Sequence, residues 1–189
     1  MIKLVTFLGN HGVQYEQTRH NIGWKIASES SFLYGLDWQQ KFKGVYTWKM
    51  INRDKVFFLK PQTYMNNSGE SVQALLRFFK IDPQDLLVVH DDIELDFGQI
   101  GFKKGGGLAG HNGLRSIAST LGRQDFYRFR LGVSRPTLGD ISSYVLGKFS
   151  PDEREALPLY LQKASTALEY CLCENIESAE KKYKKVTLI

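Results

Sequence analysis

The sequence predicts an α/β fold, in one domain or at most two, with a mixed β-sheet flanked by helices. Three observations predict it. Short apolar runs ending in glycine or carboxylates alternate with segments of helical periodicity. Residues 45–51 (VYTWKMI) and 55–60 (KVFFLK), joined by Asn52-Arg53-Asp54, read as a hairpin, which makes the sheet mixed. A chain of 189 residues is also long enough to bury roughly 70% of its unfolded surface, so its core needs no disulfide or metal staple.

The elements follow in order. IKLVTFL reads as a buried strand stopped by Gly9-Asn10. Ile22, Ile26 and Leu33 recur at near-helical spacing across residues 21–34. After the hairpin, residues 71–80 (SVQALLRFFK) read as a helix capped by Asn67 or Ser68. LLVVHDD (86–92) reads as a buried strand that ends in carboxylates, and residues 99–104 as a strand entering Gly105-Gly106-Gly107. Residues 112–121 read as a helix closed by Gly122, and 126–133 (FYRFRLGV) as another strand. Ser150-Pro151-Asp152-Glu153 is a capping box with proline at the first helical position. A helix of about 23 residues is expected to follow, with a kink possible at Pro158, and a last short helix from Ile176.

Composition excludes several classes. With 42% hydrophobic and 24% charged residues the chain is an ordinary globule rather than a disordered one. No apolar run reaches the roughly 18 residues of a membrane span. The start, MIKLVTFLGNHG, reads as a strand and turn rather than a signal peptide. Cys171 and Cys173 are the only cysteines, so a reduced, cytoplasmic setting is expected. Lys plus Arg exceed Asp plus Glu by 25 − 20 = 5, weak evidence by itself for a polyanionic partner. The distribution says more. Residues 81–97 hold six acids and no Lys or Arg, whereas residues 98–139 hold seven bases and one acid. The two stretches either converge on a site with carboxylates at its floor and cations at its rim, or are solvated faces.

Four polar clusters fall at strand ends or helix starts, where α/β folds build sites. They are Asn10 with Tyr15 and His20; Tyr64-Met65-Asn66; His90-Asp91; and Lys103-Lys104 with the glycines, His111 and Asn112. His20 precedes a predicted helix, whose N-terminus disfavours an imidazolium, so it is a candidate base; a helix-capping role is the alternative. Asp91 is placed to accept the other ring N–H, or else is a plain strand-end residue. Asn10 and Asn66 are neutral groups suited to orienting water or an oxyanion. GFKKGGGLAGHNG reads equally as a phosphate seat or a flexible loop, and it is neither a Walker A nor a GxGxxG fingerprint. The four histidines lack HExxH spacing, Cys171-x-Cys173 has no partner pair, and no GxSxG occurs. Metal and serine-based chemistry are therefore not expected.

Four stretches carry a resemblance that covers nearly the whole chain. LGNHGVQYEQTRHNIG is similar to LGNPGxxYxxTRHNxG, KPQTYMNNSGESV to KPxTyMNxSGxxV, HDDIELDFGQIGFKKGGGLAGHNGLRSI to HDDLDLPxGxxRxKxGGGxxGHNGLxSI, and FYRFRLGVSRP to FxRLRiGIgRP. These are the motifs of the bacterial peptidyl-tRNA hydrolase family, in the same order. The resemblance implies a single α/β domain over residues 1–189 with a twisted, mixed β-sheet between helices, and hydrolysis of the ester between a peptidyl group and the ribose of tRNA. By motif position it implies His20 as general base, Asp91 as its partner and Asn10 as a substrate-positioning residue. Tyr15, Tyr64, Asn66 and Asn112 would contact the peptidyl or terminal nucleotide portion, with Met65 and His111 lining the cleft. Lys103 and Arg130 match phosphate-clamping positions. No metal or organic cofactor is implied; the partner is peptidyl-tRNA, not DNA or a membrane, and a monomer is expected. The alternative is a non-catalytic RNA-binding module of the same fold.

The sequence departs from those motifs at His11 and Phe97, where proline is usual, and at Leu108-Ala109 in the glycine loop. Loss of proline at His11 is expected to loosen the loop holding Asn10 or to add a polar contact. The change at Phe97 is expected to stay within its loop, and Leu108-Ala109 to reshape a gate over the cleft. The basic tail Lys181-Lys182-Tyr183-Lys184-Lys185 is read as a solvated terminus, with RNA contact as the alternative.

Overall fold

The computed structural model describes residues 1–189. Its strands are β1 (Leu4–Phe7), β2 (Gln39–Lys41), β3 (Gly44–Ile51), β4 (Asp54–Pro61), β5 (Leu86–Asp92), β6 (Gln99–Lys104), β7 (Tyr127–Gly132) and β8 (Val186–Thr187). Its helices are α1 (Ile22–Glu29), α2 (Ser68–Phe79), α3 (Asn112–Leu121), α4 (Ile141–Val145), α5 (Pro151–Cys173) and α6 (Ile176–Lys182). All strands join one sheet in the order β2-β3-β4-β1-β5-β7-β6-β8. β4, β1, β5 and β7 run parallel, while β2, β3, β6 and β8 pair antiparallel with their neighbours. The sheet is mixed, as the hairpin implied.

Alternation along the strands feeds two cores. Val5, Phe7, Leu87 and Val89 pack against α1 and α5 through Ile22, Ile26, Tyr160 and Ala164. Leu4, Leu8, Leu86 and Val88 pack on the other face against α2 and α3 through Val72, Leu75, Leu114 and Ile117. The parallel strands β1 and β5 are buried on both faces, which is why they read as unbroken apolar runs.

The structure corrects several boundaries. The helix expected over residues 21–34 stops at Glu29. Ser30 turns extended and its hydroxyl donates to the Ile26 carbonyl, so a serine cluster competes with the backbone ladder. α2 starts at Ser68, not Ser71. Asn67 occupies the cap position but makes no capping bond; instead Ser116 Oγ of α3 accepts the Gly69 N–H at 2.8 Å. The capping box at Ser150 and Glu153 forms with both of its bonds, and α5 continues through Pro158. The basic tail is not a free terminus. Tyr183 O accepts the Phe102 N–H, and residues 186–187 pair with β6, although Lys181, Lys182, Lys184 and Lys185 keep exposed side chains. β2, β8 and α4 were not anticipated.

Candidate active site

The C-terminal ends of β1, β4 and β5 and the N-termini of α1 and α3 surround a cavity of about 390 Å³. Asn10, Tyr15, His20, Tyr64, Met65, Asn66, Asp91, His111 and Asn112 all line it. Lys103 and Arg130, the predicted phosphate residues, lie outside it. His90 of the predicted His90-Asp91 cluster also lines it, whereas Asp92, Ile93 and Arg128, and Ile141, Ser142, Val145 and Leu146 of α4 with its flank, were not singled out for the site. The Asp140 cap, which accepts the Ser143 N–H, was the one local signal for α4.

His20 sits in a 3-10 turn, Arg19–Asn21, just before α1. Gly23 allows that helix start to press on the sheet, because a Cβ there would lie 2.7 Å from the Leu8 carbonyl and 2.9 Å from that of Val89. Arg19, next to the candidate base, is itself pinned. Its guanidinium pairs with Glu153 at 2.7 Å, donates to the Lys148 carbonyl at 2.6 Å and lies 4.2 Å over the Tyr144 ring. Sequence reasoning passed over Arg19, although it ties the His20 turn to α4 and to the start of α5.

His20 Nδ1 and His111 Nε2 each lie 2.8 Å from the same oxygen, Asp91 Oδ1. Burial alone would raise the Asp91 carboxyl; attraction to the two rings and their hydrogen bonds overcome it and hold the group well below the usual carboxylate range. An ionised Asp91 is an acceptor only, so both rings donate to it. His20 therefore carries a proton on Nδ1, and in the neutral ring Nε2 is the lone-pair site. His111 is fixed from its other side, where Nδ1 accepts the Gly113 and Leu114 N–H groups at 3.1 and 3.4 Å as the cap of α3. His20, Asp91 and His111 also hold ligand atoms within 4.8 Å of one another. That set fits a cation poorly. A metal on His111 Nε2 would need a proton on Nδ1, and Nδ1 is already an acceptor for two backbone N–H groups.

His90 donates its Nδ1–H to the Asp91 carbonyl at 2.7 Å, and its Nε2 is buried without a partner. Burial, and then the nearby His111, push its pKa down to about 3. Asn10 is oriented by two neighbours. Its backbone exchanges hydrogen bonds with the Asn21 side chain at 2.8 and 3.0 Å, and its Oδ1 accepts the Met65 N–H at 2.8 Å. The amide Nδ2 of Asn10 is thereby left as a donor. Asn21 was missed in the sequence.

The acidic and basic stretches do converge in part. Asp92 on β5 accepts from Arg130 Nε on β7 at 2.6 Å, and Arg135 pairs with Glu94. Lys103 is exposed and makes no ion pair within 4 Å of a carboxylate. Among the departures, His11 is exposed and makes no side-chain hydrogen bond, while Asn10 keeps its three. Phe97 reaches beyond its loop to pack against Phe149 and Tyr160. Leu108 and Ala109 line the cavity.

An α/β sheet whose strand ends hold a carboxylate-paired imidazole in an open cleft defines, as a class, a candidate hydrolase. The chain belongs to the peptidyl-tRNA hydrolase family, whose model matches residues 4–188. It is 42% identical over 189 residues to a peptidyl-tRNA hydrolase of Geotalea uraniireducens, covering 100% of this chain and 99% of that one. It is 41% identical over 181 residues to one from Clostridium botulinum (strain Eklund 17B), covering 95% and 94%. The crystal structure of peptidyl-tRNA hydrolase from Acinetobacter baumannii superposes with a TM-score of 0.87 at 33% identity, covering 96% of this chain and 94% of that one.

Proposed function

We propose that this chain hydrolyses the ester between the peptidyl group and the ribose of peptidyl-tRNA, with His20 as general base. The observation that carries the reading is the 2.8 Å bond from His20 Nδ1 to the buried, ionised Asp91, which leaves Nε2 free to take a proton from water. The water oxygen attacks the ester carbonyl carbon as its proton passes to Nε2. Asp91 stabilises the imidazolium that results. The imidazolium then gives its proton to the departing ribose oxygen, and the peptidyl group leaves as a carboxylic acid that ionises. General-base help of this kind is worth about 10²- to 10⁴-fold.

Asn10 Nδ2 serves as donor to the peptidyl carbonyl or to the oxyanion, with Asn66 and Asn112 lining the same cleft. Tyr15 and Tyr64 offer rings to the terminal nucleotide, and Tyr64 is 60% exposed. Lys103 and the two terminal nitrogens of Arg130 serve phosphates, since Arg130 commits only its Nε to Asp92. The chain works as one domain, a monomer in the cytoplasm, on RNA rather than DNA or membrane; no helix is long and apolar enough to cross a membrane.

The test is release of a labelled N-acetyl-aminoacyl group from tRNA in EDTA. Wild-type release, a dead His20→Ala that still binds tRNA, and a spared free-amine aminoacyl-tRNA are expected. Tight tRNA binding without wild-type release would replace the enzyme with an RNA-binding module.

A further inference from the structure

Arg128, on β7, is only 3% exposed yet pairs with no carboxylate. Other buried charges are paired: Asp92 with Arg130, and Arg19 with Glu153. Arg128 spends its guanidinium on backbone instead. Nη1 donates to the Gly107 carbonyl at 2.9 Å, Nη2 donates to the Gly105 carbonyl, and Nε is buried without a partner. Arg130 adds a like charge nearby, and Asp92 is the compensating acid in its field. A buried guanidinium without its own counter-ion costs stability, so an apolar residue would serve a merely structural role better.

The segment it grips has little else to hold it. Gly105, Gly106, Ala109 and Gly110 have positive φ. The Gly105 N–H donates to Phe126 O, the His111 N–H to Leu108 O, and no side chain other than Arg128 bonds a carbonyl between residues 105 and 110. Beyond the grip, Leu108, Ala109 and Gly110 line the cleft and lead into His111 and Asn112. The loop is thus fastened by Arg128 at one end and by the His111–Asp91 bond at the other.

We infer that Arg128 is a positioning residue for the hydrolysis: by holding the carbonyls of Gly105 and Gly107 it sets the glycine loop, and with it Leu108, His111 and Asn112, against the ester. The inference rests on the cleft being the ester site. It gives Arg128 a role different from that of Lys103 and Arg130, which face phosphates.

Two substrates separate the roles: N-acetyl-aminoacyl-tRNA, and N-acetyl-aminoacyl-adenosine, an ester without phosphate. Arg128→Lys keeps the charge but cannot span two carbonyls, and Arg128→Gln loses the charge. Both are expected to lower kcat on both substrates by about 10- to 100-fold, with KM for tRNA and its salt dependence within about twofold of wild type. Gly106→Ala attacks the same contact from the loop, because a Cβ there would lie 2.7 Å from Lys103 Nζ and 3.2 Å from Arg128 Nη2 at a φ of +86°. It should reproduce the kcat loss, and amide exchange over residues 105–110 should quicken in every variant that folds. Should the Arg128 variants fail to fold, Gly106→Ala decides alone. A rise confined to KM on tRNA, with the adenosine ester cleaved at wild-type kcat, would make Arg128 a phosphate contact and overturn the inference. Folded variants with wild-type kcat on both substrates would overturn it too. Wild-type protein inactive on both esters would instead overturn the reading of the cleft, and this inference with it.

Discussion

Asp91 and Asp92 stand side by side on β5, both buried and both held below the usual carboxylate range, yet their surroundings differ in kind. Successive strand residues point to opposite faces. Asp91 meets two imidazoles that donate to one of its oxygens. Asp92 lies in the field of the buried His90 but makes its side-chain bond to Arg130, and it accepts the Glu94 N–H at 2.8 Å. An imidazole can gain a proton during a reaction, whereas a guanidinium cannot lose one. With His20 as the proposed base, one carboxylate faces a group whose charge can change in turnover, and its neighbour faces a charge that is always there. On the proposed roles of His20 and Arg130, proton chemistry and phosphate binding are separated by one step along a strand.

The largest effect should come from Asp91. Asp91→Asn removes the charge that would stabilise the imidazolium and leaves the two ring N–H groups facing a neutral amide oxygen, a weaker acceptor than a carboxylate. We expect kcat to fall about 10³- to 10⁴-fold with KM nearly unchanged, by analogy with removing the orienting acid of a catalytic triad. Single-turnover release from N-acetyl-aminoacyl-tRNA measures it; a loss below tenfold would end the distinction between the two carboxylates. Asp92→Asn should act elsewhere. It frees Arg130 from a partly buried pair and should lower stability by about 1–3 kcal/mol, read by urea denaturation. KM for tRNA should change several-fold, with kcat within about threefold. A kcat loss matching that of Asp91→Asn would show that both carboxylates serve the base.

The Asp91 side of this division was largely legible in the sequence. LLVVHDD announces a buried strand ending in acids, and TRHNIG places His20 at a helix start. Strand-end and helix-start geometry made the pairing of His20 with Asp91 one of two readings for each residue, and the family motifs selected it. What could not be read depends on contacts distant in sequence. His111 caps α3 through its ring and reaches Asp91 across 20 residues. Arg128 looks like any strand arginine until its carbonyl partners, 21 and 23 residues away, fold over it. β2 is three exposed polar residues, and β8 is two residues at a sheet edge, so neither has a period long enough to detect. α4 is a five-residue helix in a polar segment, with only Asp140 to mark it.

A smaller effect should appear in acid. His90 lies on the Asp92 side of β5, and its pKa falls from an ordinary 6.5 to about 3. Between those values the unfolded chain takes up a proton that the fold refuses, so stability is full above about pH 6.5 and declines as pH falls towards 3. The two depressed carboxylates act later: their contribution is full above about pH 4, the unfolded carboxylate range, and is lost as pH falls below it. Urea midpoints should begin to drop below about pH 6.5 in wild type, and His90→Gln should flatten that drop down to about pH 4. An unchanged slope in His90→Gln would mean that another group takes up the proton.

The finest test carries the comparison one strand further. Lys103 and Lys104 are consecutive on β6, and both are exposed. Lys103 lies opposite Arg128, on the face that carries Arg130 and Asp92. Lys104 lies opposite Tyr127 and holds its ammonium 5.1 Å over that ring. If phosphate binding belongs to one face, removing each lysine removes the same charge from the chain but not the same contact from the RNA. Lys103→Ala should raise KM about threefold at moderate salt, with kcat unchanged, and reduce the slope of log KM against log salt by about one phosphate's worth. Lys104→Ala should leave that slope alone. Equal slopes in the two variants would mean that the RNA senses only the overall charge of this region, and the face-by-face division would then stop at β5.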